Sequence, residues 1–499
     1  LMKTNFSAAQ LEQPHIAEAD KILKTCQHFG FCTSGCPTYV ILHDENDGPR
    51  GRIDLIKEML ESDQPPSAKT VEHIDRCLSC MSCMTTCAVN VDYMHLVDTG
   101  RAHIEAHYRR PLRERLARNA LAYVLPRPAL FRPALALGRL AARVEYLVPR
   151  SMRHALKLLP KSPAAAVVTD ADATAGGSGN IDVGGAASAY LYPAWGVRRW
   201  RVAMLPGCVQ PVLSPQINAA PIRLLNRFGC DVVISAASAC CGSLTLHMGK
   251  QAAAKEFAAR NVWAWQEELD GEGLDAVLVN ASGCGTTVKD YGHLLGDDAD
   301  LASAAARVAA LAMDICEWLA LMDLPEPATP RRHRVAYHDA CSLRNAQKVT
   351  AQPRSLLRKA GFQVVDIPEA HFCCGSAGTY NLLQPAMAAQ LGERKAANIS
   401  RTEPQIVAAG NIGCITQIGL YSGVPIVHTV ELLDWAHGGP LPAALRGLEL
   451  PQLEPEAAPE ALGGKEASFA NGKPGGESSG GLNDSLNDKD ADDGSVGIW

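Results

Sequence analysis

The 499-residue sequence contains no uncharged apolar run long enough to cross a bilayer. Its best candidate, Val308 to Leu324, is interrupted by Asp314, Glu317 and Asp323. The first twenty residues are polar and lack an apolar h-region, so export by the Sec route is not expected. A glycine-rich dinucleotide fingerprint is missing too, and with it any expectation of a hydride-transfer site. Basic charge is not in excess: 47 Lys and Arg against 53 Asp and Glu give a net −6, which argues against a nucleic-acid-binding surface. What remains is an ordinary globular composition, with room for two to four domains.

Seventeen cysteines are the exception. In a long chain without a signal peptide they point to a reducing, cytoplasmic location and to metal or redox chemistry rather than disulfides. Seven lie between Cys26 and Cys87, and ten between Cys208 and Cys414. The stretch Arg101 to Lys161 separates the blocks with fourteen Arg and Lys against three Glu, interleaved with Leu, Phe and Tyr. That pattern fits docking on an anionic membrane surface or on a partner subunit, with a solvated helical connector as the plain alternative. Ser162 to Ser188 reads as a Gly/Ala/Asp/Thr linker, and Pro451 to Trp499, with ten acids and three lysines, as a disordered tail.

In the first block, Cys77-x-x-Cys80-x-x-Cys83-x-x-x-Cys87 has the spacing of a bacterial two-cluster ferredoxin. Three thiolates on one loop take three corners of a cubane, and the fourth reaches the neighbouring cluster. The partner loop is Cys26-x-x-Phe29-x-x-Cys32-x-x-x-Cys36-Pro37, with phenylalanine at one ligand position. Crosswise ligation assigns Cys77, Cys80, Cys83 and Cys36 to a complete [4Fe–4S] cluster, leaving Cys26, Cys32 and Cys87 for the other. Three thiolates suit either a [3Fe–4S] cluster or a [4Fe–4S] cluster whose fourth iron is held otherwise. Short helices are expected at Ala17 to Thr25, Arg52 to Ser62 and Thr70 to Arg76. Zinc is the competing metal for four-cysteine sets.

The second block contains a repeat. Cys208 precedes Cys240-Cys241-Gly242 by thirty-one intervening residues, and Cys341 precedes Cys373-Cys374-Gly375 by the same number. Each copy closes on a further cysteine, Cys284 or Cys414. Apolar strand-like runs at Arg201 to Leu205, Ala276 to Asn280, Arg334 to Tyr337 and Gln405 to Ala409 alternate with amphipathic stretches such as Ala219 to Phe228 and Gln251 to Glu268. This predicts α/β units with thiolate cages at strand ends, suited to an iron–sulfur cluster or zinc. Cys230 and Cys316 read as buried, inert thiols. His338 and His371 stand near the cages as ligands, hydrogen-bond donors or, by the more conservative reading, structural histidines.

The expected architecture is therefore α+β and multidomain: an α-helical two-cluster ferredoxin module at residues 15–105, a basic amphipathic connector at 106–161, and a linker at 162–195. Two Cys-Cys-Gly domains follow at 196–325 and 326–440, then the tail at 451–499. Taken together, Cys26 to Tyr39, Asp47 to Ile53, Arg76 to Cys87, Leu205 to Cys208, Ala281 to Tyr291, His371 to Tyr380 and Asn411 to Cys414 resemble the iron–sulfur subunits of bacterial glycolate oxidase. The resemblance implies an electron-transfer subunit that works with FAD-binding subunits oxidising glycolate to glyoxylate. It implies a quinone or other respiratory acceptor, and a place in the cytoplasm or on the cytoplasmic face of the inner membrane. Lactate and anaerobic glycerol-3-phosphate dehydrogenase complexes and heterodisulfide reductases share the same logic. Phe29 departs from the family's cysteine, and Ala281 and Asn411 stand where heterodisulfide reductases carry a fifth thiolate, which argues against disulfide cleavage. A zinc-stabilised scaffold without redox activity is the remaining alternative.

Overall fold

Short, largely buried parallel strands organise the larger part of the molecule. The computed structural model describes residues 2–62, 64–144, 146, 156–159, 181–182 and 189–454. Most of the linker expected at 162–195, the end of the connector, and the tail beyond residue 454 lie outside these residues.

The described residues up to 107 form helices joined by loops. The principal helices are Pro14–Thr25, Pro49–Glu61, Ala68–Asp75 and Tyr93–His107. They close on a core that includes Leu23, Ile56, Leu60, Ile74, Leu96 and Ile104. Proline at the first turn starts two of these helices, and Ser67 and Asp92 cap the others with side-chain hydrogen bonds. Between them, short turns Phe31–Ser34 and Ser82–Thr85 carry the cysteine loops.

The connector forms two helices, Leu112–Val124 and Pro128–Ala142. Three of the cations expected to serve docking are used internally. Arg101 donates to Cys77 O at 2.7 Å, Arg110 pairs with Asp75 at 2.6 Å, and Arg118 reaches Met248 O at 3.4 Å. All three are buried. The exposed surface carries Leu112, Leu116 and Tyr123 on one helix and Leu130, Leu137 and Leu140 on the next, with Arg109, Arg113, Arg115 and Arg132 exposed among them.

Beyond the connector lie two sheets. Strands β1 (Ile181–Asp182), β2 (Ala189–Tyr192), β3 (Trp200–Met204), β4 (Cys230–Ser235), β5 (Ala276–Val279) and β6 (Ala312–Asp314) form the first, in the order β1-β2-β4-β3-β5-β6. Strands β7 (Arg334–His338), β8 (Gln363–Asp366), β9 (Ile406–Ala409) and β10 (Ile426–His428) form the second, ordered β10-β9-β7-β8. The parallel quartet β4-β3-β5-β6 therefore has the same order as β8-β7-β9-β10, so the cysteine repeat is a repeat of fold. The run Val308 to Leu324 is divided among the end of one helix, β6 and the helix Ile315–Leu321. No helix among the described residues is long and apolar enough to cross a membrane.

Side chains alternate across each sheet, as the twofold period of a strand requires. Val202, Met204, Val335, Tyr337, Ile406 and Ala408 enter one core shared by both repeats, while Ala203, Leu205, Val277 and Val279 face a second. Ala336, Val407 and Ala409 face a third. Burial of both faces is what parallel strands demand. The repeats are joined further by Arg223–Asp434 at 2.6 Å and by His428 Nε2 against Asn280 O at 2.8 Å.

Candidate metal centres

The ferredoxin loops fold around two adjoining cavities. One, with about 320 Å³ of atom-free space, is lined by Cys36, Cys77, Cys80 and Cys83. The other, about 480 Å³ with its mouth, is lined by Cys26, Cys32 and Cys87, with Cys83 on the shared wall. Apart from Cys83, which lines both, the cysteines divide between the two cavities along the lines of the crosswise expectation. Phe29 lines the second cavity but is 56% exposed, with Phe31 beside it at 62%. It rims the mouth of that cavity.

The four-thiol cavity is electrostatically prepared for negative charge. Arg52, 1% exposed, donates through Nε to His73 O at 2.7 Å and through Nη1 to Thr38 Oγ1 at 3.1 Å and Cys36 Sγ at 3.9 Å. Burial disfavours the guanidinium, but Cys77, Tyr93, Cys36 and Asp47 outweigh it and hold it charged. Burial also opposes ionisation of Cys77, yet Arg52 and Arg101 bring that thiol below its usual value. Tyr93 Oη donates to Cys77 Sγ at 3.7 Å, and the Ser79 amide approaches it at 3.5 Å. Cys80 and Cys83 are pushed well up, first by burial and then by neighbouring thiols, with the Ser82 amide only partly offsetting this at Cys80. In the three-thiol cavity, burial and then Cys26 raise Cys32 to about 11. Buried thiols with nearby cations and S-directed donors suit thiolate-ligated clusters, whose binding releases the protons.

The repeats place their cysteines beyond the carboxyl ends of parallel strands, at the point where strand order reverses, the usual ligand position in such sheets. Cys208 follows β3, Cys240 and Cys241 follow β4, and Cys284 opens the helix Ser282–Lys289 after β5. Cys341, Cys373, Cys374 and Cys414 hold the corresponding places after β7, β8 and β9. Each Cys-Cys pair is followed by a glycine at φ +89° or +90°, where a Cβ would strike Ala254 O at 2.8 Å or Ala388 O at 2.7 Å.

Thiol–thiol hydrogen bonds link each set. Cys208 and Cys241 bond to Cys240 and hold it well below its usual value, with Cys284 bonded to Cys241. Cys341 and Cys373 lie 3.8 Å apart, and Cys374 bonds to Cys373 and Cys414. All fifteen expected ligands therefore fall into four groups. Cys230 and Cys316 sit apart in the shared apolar core.

His338 stands with the second set: its ring nitrogen lies within 4.8 Å of Cys374 and Cys414 sulfurs. His371 instead leans on Phe372, 4.4 Å between ring centroids. Lys395, 1% exposed, donates to Glu369 O at 2.9 Å and exerts its charge on Cys414 and His338. Spacing alone missed Lys395, Arg52 and Asp47. The last two belong to the Asp47 to Ile53 motif, whose chemistry becomes visible only when the helix Pro49–Glu61 turns it toward Cys36.

The groups adjoin one another. Cys83 lines both ferredoxin cavities. Cys80 shares an apolar cluster with Cys373 and Cys341, and Asn345 Nδ2 donates across that contact to Cys80 O at 2.8 Å. Cys208 and Cys240 pack with Phe257, whose ring lies 5.7 Å from the Arg127 guanidinium at the junction of the two connector helices.

Comparison with known proteins agrees with this division. A 4Fe-4S dicluster domain matches residues 22–91, and a cysteine-rich CCG domain matches residues 202–289 and 335–419. The glycolate oxidase iron–sulfur subunit of Escherichia coli strain K12 is 38% identical over 435 residues, covering 87% of this chain and 99% of that protein. The probable glycolate oxidase iron–sulfur subunit of Bacillus subtilis strain 168 is 31% identical over 430 residues, covering 83% and 94%. Lactate utilization protein A of Oceanobacillus iheyensis is 24% identical over 241 residues, which cover 47% of this chain and 96% of its own length. Paired dicluster and CCG domains, matched along nearly the whole of two such relatives, show that the chain belongs to the family of glycolate oxidase iron–sulfur subunits.

Proposed function

We propose that the chain relays electrons from FAD-binding subunits, which oxidise glycolate, toward a quinone-type acceptor. In this reading Cys36, Cys77, Cys80 and Cys83 hold a [4Fe–4S] cluster, and Cys26, Cys32 and Cys87 hold a [3Fe–4S] or incompletely ligated [4Fe–4S] cluster. When bound, such clusters take and give single electrons. The residues of this chain do the rest. Thiolates fix the positions, Arg52 and Arg101 offset negative charge, and the surrounding Ile, Leu and Tyr side chains keep water from most of the path.

One observation carries the proposal: three of the four cysteine groups adjoin in series, through Cys83 and then through the Cys80–Cys341–Cys373 contact. That arrangement gives electrons a short route from the ferredoxin module into the second Cys-Cys-Gly domain. The apolar stripes on the connector helices support docking of a partner subunit beside the first Cys-Cys-Gly domain. Iron and acid-labile sulfide in anaerobically isolated chain test the reading. Enough of both for at least two clusters is expected, whereas iron near zero with stoichiometric zinc would refute it.

A further inference from the structure

The two Cys-Cys-Gly sites look alike in the cysteine pattern but differ in the other side chains that reach them. Strands β3 and β7 are in register through Val202 and Val335, and through Cys208 and Cys341. His338 therefore takes the position that Leu205 takes in the first repeat. Leu205 is a core residue, 1% exposed, packed with Ala203 and Val277. His338 is equally buried, at 1%, yet neither Nδ1 nor Nε2 has a hydrogen-bond partner. Burying an unpaired imidazole is costly, so one expects something to meet those nitrogens. The sulfurs of Cys374 and Cys414 lie close by, all three atoms being within 4.8 Å of one another.

A second difference points the same way. The contacts of Gly242 with Ala254 and of Gly375 with Ala388 align Asn261 with Lys395. Asn261 is neutral and bonds to Cys240 O at 3.0 Å and Ala239 N at 2.8 Å. Lys395 brings a buried ammonium toward Cys373 and Cys374. A cation at that depth suits a site whose thiols are ionised, as metal ligands are.

We propose that His338 is a metal ligand: the second Cys-Cys-Gly site is a mixed imidazole–thiolate centre, built with Cys374, Cys414 and the Cys341–Cys373 pair, whereas the first is all-thiolate. The inference deepens the functional reading above and rests on it only for the metal being iron. The shared chemistry is a soft transition metal with nitrogen and sulfur ligands, either a single ion of the zinc class or one iron of a cluster. A tetrahedral ion with bonds of about 2.0–2.3 Å holds its ligand atoms about 3.3–3.8 Å apart, so the His338, Cys374 and Cys414 atoms, within 4.8 Å of one another, need a contraction of about 1.5 Å at most.

The test uses tag-free full-length chain, isolated anaerobically as wild type, His338→Ala and His338→Cys, with iron, zinc and sulfide counted per chain. X-ray absorption at the iron and zinc edges, and pulsed EPR of the reduced protein, report nitrogen bound to metal. The expected wild-type result is imidazole nitrogen at one metal, seen at the zinc edge for an ion or as nitrogen hyperfine coupling for a cluster. His338→Ala should lose that signal and one centre's metal, while His338→Cys retains the metal without the nitrogen. The ferredoxin EPR signals should be unchanged, which separates failure here from failure of the relay reading. Wild-type spectra without imidazole nitrogen at either metal would overturn the proposal, even if the variants do not fold. Full metal content with an unchanged spectrum in His338→Ala would overturn it as well.

Discussion

Arg52 offers the sharpest quantitative test of how the fold prepares the four-thiolate site. Replacing it by glutamine removes a buried charge whose Nη1 lies 3.9 Å from Cys36 Sγ. At an effective dielectric constant of about 20, two unit charges that far apart interact by about 4 kcal/mol. For a one-electron couple this corresponds to about 180 mV, using about 59 mV per tenfold change. The figure is a ceiling, because Arg101 and Arg76 remain and the added electron is spread over a cluster. A fall in midpoint potential of about 50–150 mV is expected in Arg52→Gln, and a much smaller one in Arg52→Lys. The variant also loses stability, since Asp47, 1% exposed, keeps only Arg76 at 3.0 Å and His73 at 3.2 Å. Breaking a buried ion pair costs about 3–5 kcal/mol, and the surviving Arg76 contact places the cost near the lower end. Potentiometric titration followed by low-temperature EPR reads the first effect, and denaturant unfolding of the cluster-loaded chain reads the second. A potential within about 20 mV of wild type, with the full iron complement, would refute the electrostatic role assigned to Arg52.

Three further expectations follow from other parts of the molecule. Air-oxidised wild type should give a near-isotropic EPR signal just above the free-electron g value, which weakens sharply in Phe29→Cys; an EPR-silent oxidised sample with intact iron and sulfide counts against a three-iron site. Burial disfavours the His95 imidazolium, but Asp290 at 3.0 Å and Asp92 at 2.6 Å outweigh it and raise its pKa from 6.5 to about 10. The stabilisation it gives the contact between the ferredoxin module and the first Cys-Cys-Gly domain is therefore complete below pH 6.5 and lost as pH rises through about 10. The difference in unfolding midpoint between wild type and His95→Asn should shrink over that window, and a difference independent of pH would contradict the assignment. Finally, Leu116→Glu with Leu137→Glu should impair assembly with partner subunits without altering cluster content, as measured by co-purification; unchanged assembly removes the connector from the interface.

Much of this was legible in the sequence because cysteine spacing is a geometric statement. The interval of thirty-one residues in both repeats corresponds to a matching helix-then-strand segment, and it brings the thiols together at the strand ends. The strands read from apolar runs, such as Arg334 to Tyr337, agree within a residue or so with those found. The strand Cys230–Ser235 was not visible, since Asp231 interrupts its apolar pattern. Asp231 is satisfied locally by the Ala194 amide at 2.7 Å. Gln363–Asp366 was missed for a different reason: it is a half-buried edge strand without a marked period. The connector is a mixed case. Of its cations, Arg110 and Arg118 turn inward to Asp75 and Met248, while Arg109, Arg113 and Arg115 stay exposed beside leucines. His338 was ambiguous in one dimension because nothing in its neighbours shows that both ring nitrogens lack a partner. The resemblance through Asp47 to Ile53 identified a motif without its chemistry, which depends on the distance from Arg52 to Cys36.

The central claim, that electrons pass through the four-thiolate site on their way out of the flavin, is tested most directly with Cys80→Ser in the assembled complex. Stopped-flow absorbance with glycolate should show flavin reduction at the wild-type rate, with transfer to a quinone lost. Transfer to quinone at the wild-type rate, in a complex shown by iron content and EPR to lack that cluster, would contradict the account.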